Sequence, residues 1–369
     1  MQIRRSLALA ALFALVITVA TVPRARKLDS PDFKVFYVAA RHVLTEPANL
    51  YKISPDRYLY PPSAAILLTP FAFTENFAVH QWLWHGLLGL IVFALAGAGG
   101  ASLAAMALLS RYLAVSLGYG QINLVVMGLL ALAGIWVARR PRRAGAVWAL
   151  AVSLKVYPAA FAPAFFPKQS RRGILAGAGV GLAILLLPFL VFGPALALQL
   201  YGEFFIALES KGMPLHSHNQ SITALLLRLF TDQSFHLHSV GDTQWTLLAL
   251  PQAAVVALSW LIGAGLTVAT WLRAKERLSG EAFLSAAAFS IIFLSHIVWK
   301  DYLLFLFFPL AEVFRRYPRR QAMMIAVAFL LPITLSSPDI IGFKAATRLD
   351  AACIHLWAAI LVWIAWWRK

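Results

Sequence analysis

Charge is scarce in this sequence, and acidic charge is scarcest. Of its 369 residues 13% are charged, with 15 Asp and Glu against 32 Lys and Arg. A water-soluble domain carries about 25% charged and about 45–50% apolar residues. Here 61% are hydrophobic and the mean hydropathy is +0.75, which excludes a water-soluble globular fold. A single cysteine, Cys353, excludes a disulfide framework, a cysteine-based zinc site and an iron–sulfur cluster. There is no low-complexity segment and no clear internal repeat, which argues against a transporter built from inverted repeats. A net charge of +17 would suggest nucleic acid in a soluble protein, but its distribution along the chain gives it another cause.

What is present is apolar length. Hydrophobic stretches recur at 6–22, 77–98, 100–117, 122–138, 144–154, 157–167, 173–193, 246–272, 281–297, 302–314, 321–335 and 351–367. The first follows Arg4 and Arg5. Its run of about 17 residues exceeds the 7–15 of a signal-peptide core, which favours a retained helix over cleavage near Ala20. Six clusters fall between stretches on one side: Arg4/Arg5, Arg139/Arg140/Arg142/Arg143, Lys168/Arg171/Arg172, Arg273/Lys275/Arg277, Arg315/Arg316/Arg319/Arg320 and Arg368/Lys369. They hold 18 of the 32 basic residues, and only Glu276, Glu281 and Glu312 lie near them. The positive-inside rule makes that face cytoplasmic, with both termini on it. Keeping every cluster there requires residues 144–167 to be two short helices broken at Lys155–Pro158, because 24 helical residues reach about 36 Å and would otherwise cross once. The expected fold is an all-α polytopic membrane protein of about 10–12 transmembrane helices, a single integral-membrane domain over 1–369.

Two long segments, about 23–76 and 194–245, then fall on the outer side. The first carries seven basic residues (Arg24, Arg26, Lys27, Lys34, Arg41, Lys52, Arg57) and five acids (Asp29, Asp32, Glu46, Asp56, Glu75). In DFKVFYVAARHVLT (32–45), Phe33, Phe36, Tyr37, Ala40 and Leu44 share one helical face, the pattern of an amphipathic helix on the membrane surface. YPPSAAILLTPFAF (60–73) is too short to span and is fenced by Pro61, Pro62 and Pro70, so it reads as a second surface or half-inserted helix.

Ionisable groups at membrane depth or its margin are functional candidates because burying them unpaired is expensive. They are Asp29 and Asp32, Arg111, Lys155 at the expected break, and the neighbours Lys300 and Asp301. Asp32 opens the amphipathic stretch, where an aspartate also serves as a helix N-cap. Asp29 reads as a solvated loop charge. Lys300 and Asp301 read as a solvated or mutually paired couple. Gln121 and Asn123 place two amides at a helix end, suited equally to backbone capping and to ligand contact. His216 and His218, with His236 and His238, make two HxH pairs on a loop without a matching carboxylate pattern, so no metal or other cofactor is expected.

Four stretches in this order are similar to glycosyltransferase family 87, membrane mannosyltransferases of the GT-C superfamily. They are DFKVFYVAARHVL with LYKISPDRYLYPPSAAILLTPFAF (32–73), GQINLVVMGLLAL (120–132) with AGAVWALAVSLKVYP (144–158), HNQSITALLLRL (218–229), and SHIVWKDYLLFLFFPL (295–310). The resemblance implies a GT-C-like bundle and a polyprenyl-phosphate sugar as donor, with a lipid-linked or glycan acceptor. It makes Asp32 the general base on the acceptor hydroxyl. Tyr60, Pro61 and Pro62 would shape the cavity, with Gln121, Asn123, Asn219 and Gln220. Lys155 matches the lysine of a K-x-YP motif and would contact phosphate. Family members often carry Ser-Trp followed by one or two histidines where this chain has Val298-Trp299-Lys300-Asp301, so the histidine's role falls to Lys300, to His296 or to neither.

Sugar transfer from a lipid phosphate needs a base for the acceptor proton and a cation for the departing phosphate. Asp32 supplies the first, and Lys155, Lys300, Arg111 and Arg41 are candidates for the second. His296 and Asp301 join the cavity set. The expected partners are a sugar–lipid donor, a glycolipid or glycan acceptor and membrane lipids, with no nucleic acid, and the expected location is the cell membrane. A lipid transporter or flippase, and a catalytically lapsed relative, are the competing readings.

Overall fold

The computed structural model describes residues 2–52, 58–209, 215–237 and 240–369; Asp56, Arg57 and His238 lie outside them. The described chain is that of an all-α polytopic membrane protein. Its only described strands are β1 (Phe235–Leu237) and β2 (Gly241–Thr243), a short antiparallel pair with Phe235 opposite Thr243. The chain folds as two compact units, residues 1–100 with 113–212 and residues 101–112 with 213–369.

Among the described residues, four helices have the length and hydropathy to cross a membrane: α1 (Gln2–Lys27), α4 (Phe77–Ala96), α9 (Arg171–Phe192) and α12 (Gln252–Arg277). Two further stretches meet the test as broken pairs. They are α5 (Gly100–Leu108) with α6 (Ser110–Tyr119), and α15 (Arg319–Leu335) with α16 (Pro338–Ala351), the latter bent by 81°. Shorter apolar helices are α7 (Asn123–Trp136), α13 (Gly280–Leu294) and α17 (Ile354–Trp367). The outward faces are apolar: Leu175 and Leu190 of α9 are 74% and 82% exposed. Such a face suits lipid, where every backbone group must be satisfied within the protein.

In the first unit, the break expected at Lys155–Pro158 is present. Helix α8 (Pro141–Leu154) stops at an extended Lys155 (φ −152°, ψ 141°), and residues Tyr157–Phe165 form a 3-10 helix in place of a second α-helix. Pro158 and Pro163 account for that, since each removes a backbone donor and disfavours helix in the residue before it. The amphipathic stretch is α2 (Pro31–Thr45), burying Phe33, Phe36, Tyr37 and Ala40 as expected. Leu44, in its last turn, is half exposed, and Ala39 is buried on that helix. The proline-fenced stretch folds as α3 (Pro62–Leu67) followed by a 3-10 turn over Thr69–Phe71. Helix α10 (Pro194–Glu209) follows α9.

Helices α8 and α9 pack along a glycine seam. A methyl group at Gly145 would lie 1.9 Å from the Gly173 carbonyl oxygen, and one at Gly177 2.8 Å from the Trp148 ring. Small residues let two backbones approach where lipid supplies no hydrophobic drive.

The second unit contains α11 (Ile222–Phe230), capped by the Ser221 hydroxyl, which accepts from the Ala224 amide at 3.0 Å. Its helices converge on Glu312 of α14 (Phe307–Arg316), a fully buried carboxylate. Arg277 of α12 and Arg316 lie 3.1 and 2.7 Å away, and Ser285 of α13 and Trp366 of α17 donate at 2.6 Å each. A buried charge needs this degree of pairing to be tolerated.

Gly145→Ala is expected to destabilise the first unit by about 1–3 kcal/mol through overpacking, read as a lower thermal midpoint in detergent. Gly179→Ala on the facing helix α9 meets nothing within 4 Å and serves as the control, expected to keep or raise the midpoint.

Candidate active site

The first unit's polar cluster is built on the break between α6 and α7. Gly120 adopts φ +68°, and a Cβ there would sit 2.6 Å from Cβ of Phe33. Glycine is therefore required twice, for the left-handed backbone and for the approach of α2. Phe33 stacks on Trp84 with ring centroids 5.1 Å apart, and Trp84 Nε1 donates to the Gly120 carbonyl at 2.8 Å. The start of α2 is thereby fixed against the break, and Gln121 Nε2 donates to Asp32 Oδ2.

Asp32 is not the N-cap that its position suggested. Pro31 occupies the first helical position, and the cap residue is Ser30, in left-handed conformation with no side-chain capping bond. Ser30 Oγ accepts from Gln81 Nε2 at 2.9 Å. Asp32 stands in the first turn, where the helix dipole favours a carboxylate, and that carboxylate is engaged by Gln121. Asp29 is an exposed loop charge paired with Lys34 at 3.2 Å, as expected.

Two residues beyond Gln121, Asn123 is buried. Its Oδ1 accepts from Lys155 Nζ at 2.7 Å and from the Tyr157 hydroxyl at 2.6 Å. The Lys155 ammonium lies 5.4 Å from the Tyr157 ring centroid and 6.0 Å from that of Tyr60, within cation–π range. Trp148 Nε1 donates to the Pro158 carbonyl at 2.8 Å and holds the break in shape. Tyr60 packs edge-on against Phe36 at 4.8 Å, its carbonyl accepting from Tyr51 Oη at 2.6 Å. Tyr58 Oη donates to the Pro61 carbonyl at 3.3 Å, and Pro62 starts α3. Burial pushes both phenols up, so Tyr51 and Tyr58 remain neutral donors. Arg41 lies farther along α2, its guanidinium on the Ala72 carbonyl and the Glu75 carboxylate.

The second unit holds its own polar cluster. Asn219 and Gln220 are buried, with their amides on backbone. Asn219 Nδ2 donates to the His296 carbonyl at 2.9 Å, and its Oδ1 accepts from the Val298 amide at 2.9 Å. Gln220 Nε2 donates to the Asp350 carbonyl at 2.8 Å, and its Oε1 accepts from the His355 amide at 3.3 Å. These side chains staple the turns at 296–298 and 350–355 to the loop before α11. Burial lowers the proton affinity of His296.

Lys300 has an ion-pair partner on another helix. Lys300 Nζ contacts Asp350 Oδ2 at 2.7 Å, while Asp301 is buried in a 3-10 helix over Lys300–Leu306. Asp350 also accepts from His218 Nδ1 at 2.9 Å on Oδ2 and from His355 Nε2 at 3.2 Å on Oδ1. His355 Nδ1 accepts from the Tyr112 hydroxyl at 2.7 Å. Arg111, beside Tyr112, donates to the Ile333 carbonyl and adds positive charge felt by Lys300. Sequence reasoning missed Asp350, His355 and Tyr112, none of which stood among its candidates. Asp350 is 3% exposed, and the available signal was an acid one residue before an apolar stretch. Of the HxH residues, His236 forms an exposed pair with Asp242 at 3.0 Å.

Residues 58–295 match the model of glycosyltransferase family 87. That span is most of the chain, and the chain belongs to this family: it is a glycosyltransferase held in the membrane. No curated protein and no solved structure matches it.

Replacing Asn123 with leucine removes the acceptor shared by Lys155 and Tyr157 and is expected to cost about 1–3 kcal/mol. Asn123→Asp keeps an oxygen in that place and is expected to retain most of the wild-type midpoint. Thermal unfolding of both variants in one detergent checks the pair.

Proposed function

We propose that this member of glycosyltransferase family 87 transfers a hexose, mannose in the first instance, from a polyprenyl-phosphate donor to a lipid-linked or glycan acceptor. The observation that carries the reading is one short turn. Gln121 at its start holds the Asp32 carboxylate, and Asn123 at its end holds the Lys155 ammonium. A base and a cation supported from a single rigid turn are the two groups that sugar transfer from a lipid phosphate requires.

In this reading Asp32 takes the proton of the acceptor hydroxyl as the acceptor oxygen attacks the anomeric carbon. The bond from that carbon to the phosphate oxygen breaks, and the polyprenyl phosphate leaves as a monoester with an added negative charge. Lys155, cradled by Asn123 and the rings of Tyr60 and Tyr157, meets that charge. The leaving group goes from phosphodiester to phosphate monoester, and a direct displacement of it inverts the sugar. A β-linked donor then gives an α-linked product. The basic clusters favour cytoplasmic termini in a cell membrane with the chemistry on the opposite face, and the whole chain acting as one GT-C-like domain. Lys300 and Arg111 bring two cations together in the second unit, and Arg41, already on Glu75, is the weakest phosphate candidate of the four.

The test is transfer of label from radiolabelled polyprenyl-phosphate mannose to a membrane glycolipid extract, with purified protein in nanodiscs. Loss of a general base costs about 10²–10⁴ in rate, so Asp32→Asn is expected to fall at least about 100-fold below wild type while eluting and melting like it. Undiminished turnover by that variant sinks the assignment of the base. Movement of intact donor lipid across liposomes with no sugar transfer would instead support a flippase.

A further inference from the structure

The first unit's cluster is absorbed by the proposed chemistry, but the second unit's is not. Its centre, Asp350, has no part in that reaction, yet both carboxylate oxygens are occupied. Oδ2 receives Lys300 Nζ at 2.7 Å and His218 Nδ1 at 2.9 Å, and Oδ1 receives His355 Nε2 at 3.2 Å. The Tyr112 hydroxyl donates to His355 Nδ1 at 2.7 Å. The carboxylate only accepts, so the imidazole proton sits on the nitrogen facing Asp350 and leaves Nδ1 to accept from Tyr112. The backbone is held as firmly. Gln220 bridges the Asp350 carbonyl and the His355 amide, and Arg228 donates to the Ala351 carbonyl at 2.6 Å.

Exposure is graded across the cluster. The Asp350 side chain is 4% exposed and that of His355 0%, whereas those of Lys300 and His218 are 22% and 39% exposed. The acceptor is buried and the accessible groups are donors. Arg111 adds positive charge felt by Lys300, and the buried Asp301 follows Lys300 on the same 3-10 turn. A cluster that presents an ammonium and an imidazole donor outward over a rigid buried carboxylate is built to receive an anion.

We propose that Asp350 is the positioning residue of a phosphate subsite in the second unit, fixing the Lys300 ammonium and His218 imidazole as paired donors to the phosphate of a lipid-linked sugar. The choice of ligand rests on the donor class proposed above. Asp350 also keeps Lys300 charged. Burial, the largest influence, pulls the lysine's proton affinity down, Arg111 adds to that, and Asp350 opposes both. The charged groups that act on Lys300 are Asp350 on α16 and Arg111 at the start of α6; His355 on α17 feels the lysine's charge, His218 in the loop before α11 shares Asp350 Oδ2, and Asp301 follows on the same 3-10 turn. Of these, Asp350 is the one that acts on Lys300 as its ion-pair partner at 2.7 Å. Removing its charge makes Lys300 lose its proton at lower pH.

Two measurements on the full-length protein in nanodiscs test this. The first is the pH dependence of acetylation at Lys300, read by mass spectrometry. In Asp350→Asn the midpoint is expected to move to lower pH by at least about one unit, a factor of ten in proton affinity. An unmoved midpoint overturns the positioning role, whether or not sugar transfer is ever seen. The second is binding of a short polyprenyl phosphate, with inorganic phosphate as competitor. In the wild type the lipid phosphate is expected to protect Lys300 from acetylation at least fivefold, and absence of protection overturns the subsite without need of any variant. Above the new midpoint, Asp350→Asn is expected to bind at least tenfold more weakly. Lys300→Arg in that background should recover binding, because guanidinium does not deprotonate. Weak binding that arginine fails to recover overturns the charge-holding role. Competition by inorganic phosphate marks a subsite for the headgroup alone, and its failure marks one that also needs the lipid. Intact protection without sugar transfer from any donor would leave the subsite standing and remove the proposed function.

Discussion

Polar groups inside a membrane bundle have no water to turn to, so every interruption of a helix must be answered by a side chain. The candidate residues of this protein lie at or against such interruptions. In the first unit they lie at the left-handed Gly120 between α6 and α7 and at the extended Lys155 after α8. In the second they lie in the turn at 296–299 and at Cys353, whose φ of +55° separates α16 from α17. The partners answering these breaks are Trp84 on the Gly120 carbonyl, Asn219 on residues 296 and 298, and Gln220 and Arg228 on residues 350–355. The chemistry-bearing side chains are held rigidly because the breaks that carry them cannot be left loose.

This constraint separates two kinds of amide that look alike in the sequence. Gln121 and Asn123 each place an amide on an ionisable side chain, one donating to a carboxylate and the other accepting from an ammonium. Asn219 and Gln220 direct theirs to backbone. The first pair bears on what the site can do; the second determines where the turns that carry Lys300 and Asp350 are placed. A polar motif flanked by apolar sequence reads the same in both cases, because composition records that a polar group is present and not what it faces.

The membrane class, the amphipathic stretch after the first helix, the break at Lys155–Pro158 and the grouping of Gln121 with Asn123 were legible because each rests on local signals: apolar run length, helical periodicity, proline, and an amide pair at a helix end. Asp350 was not. Its partners His218 and Lys300 are 132 and 50 positions away in sequence, and its neighbours Arg348 and Lys344 make the segment look solvated. Asp32 failed as a cap for a subtler reason. Pro31 fixed the start of the helix two residues earlier than an aspartate cap would require, which moved the carboxylate into the first turn and within reach of Gln121.

The lysine at position 300 connects these points. A histidine can be buried neutral, with one ring nitrogen donating and the other accepting. A lysine has no such neutral option near physiological pH without a large shift in proton affinity, so burying its ammonium calls for a carboxylate beside it. Asp350 is that carboxylate. It would itself be unstable in the same surroundings without Lys300, His218 and His355 around it. Lys300 and the buried aspartate fifty residues later are therefore one chemical solution: the cation at this turn and its counterion go together, and neither residue is tolerable there alone.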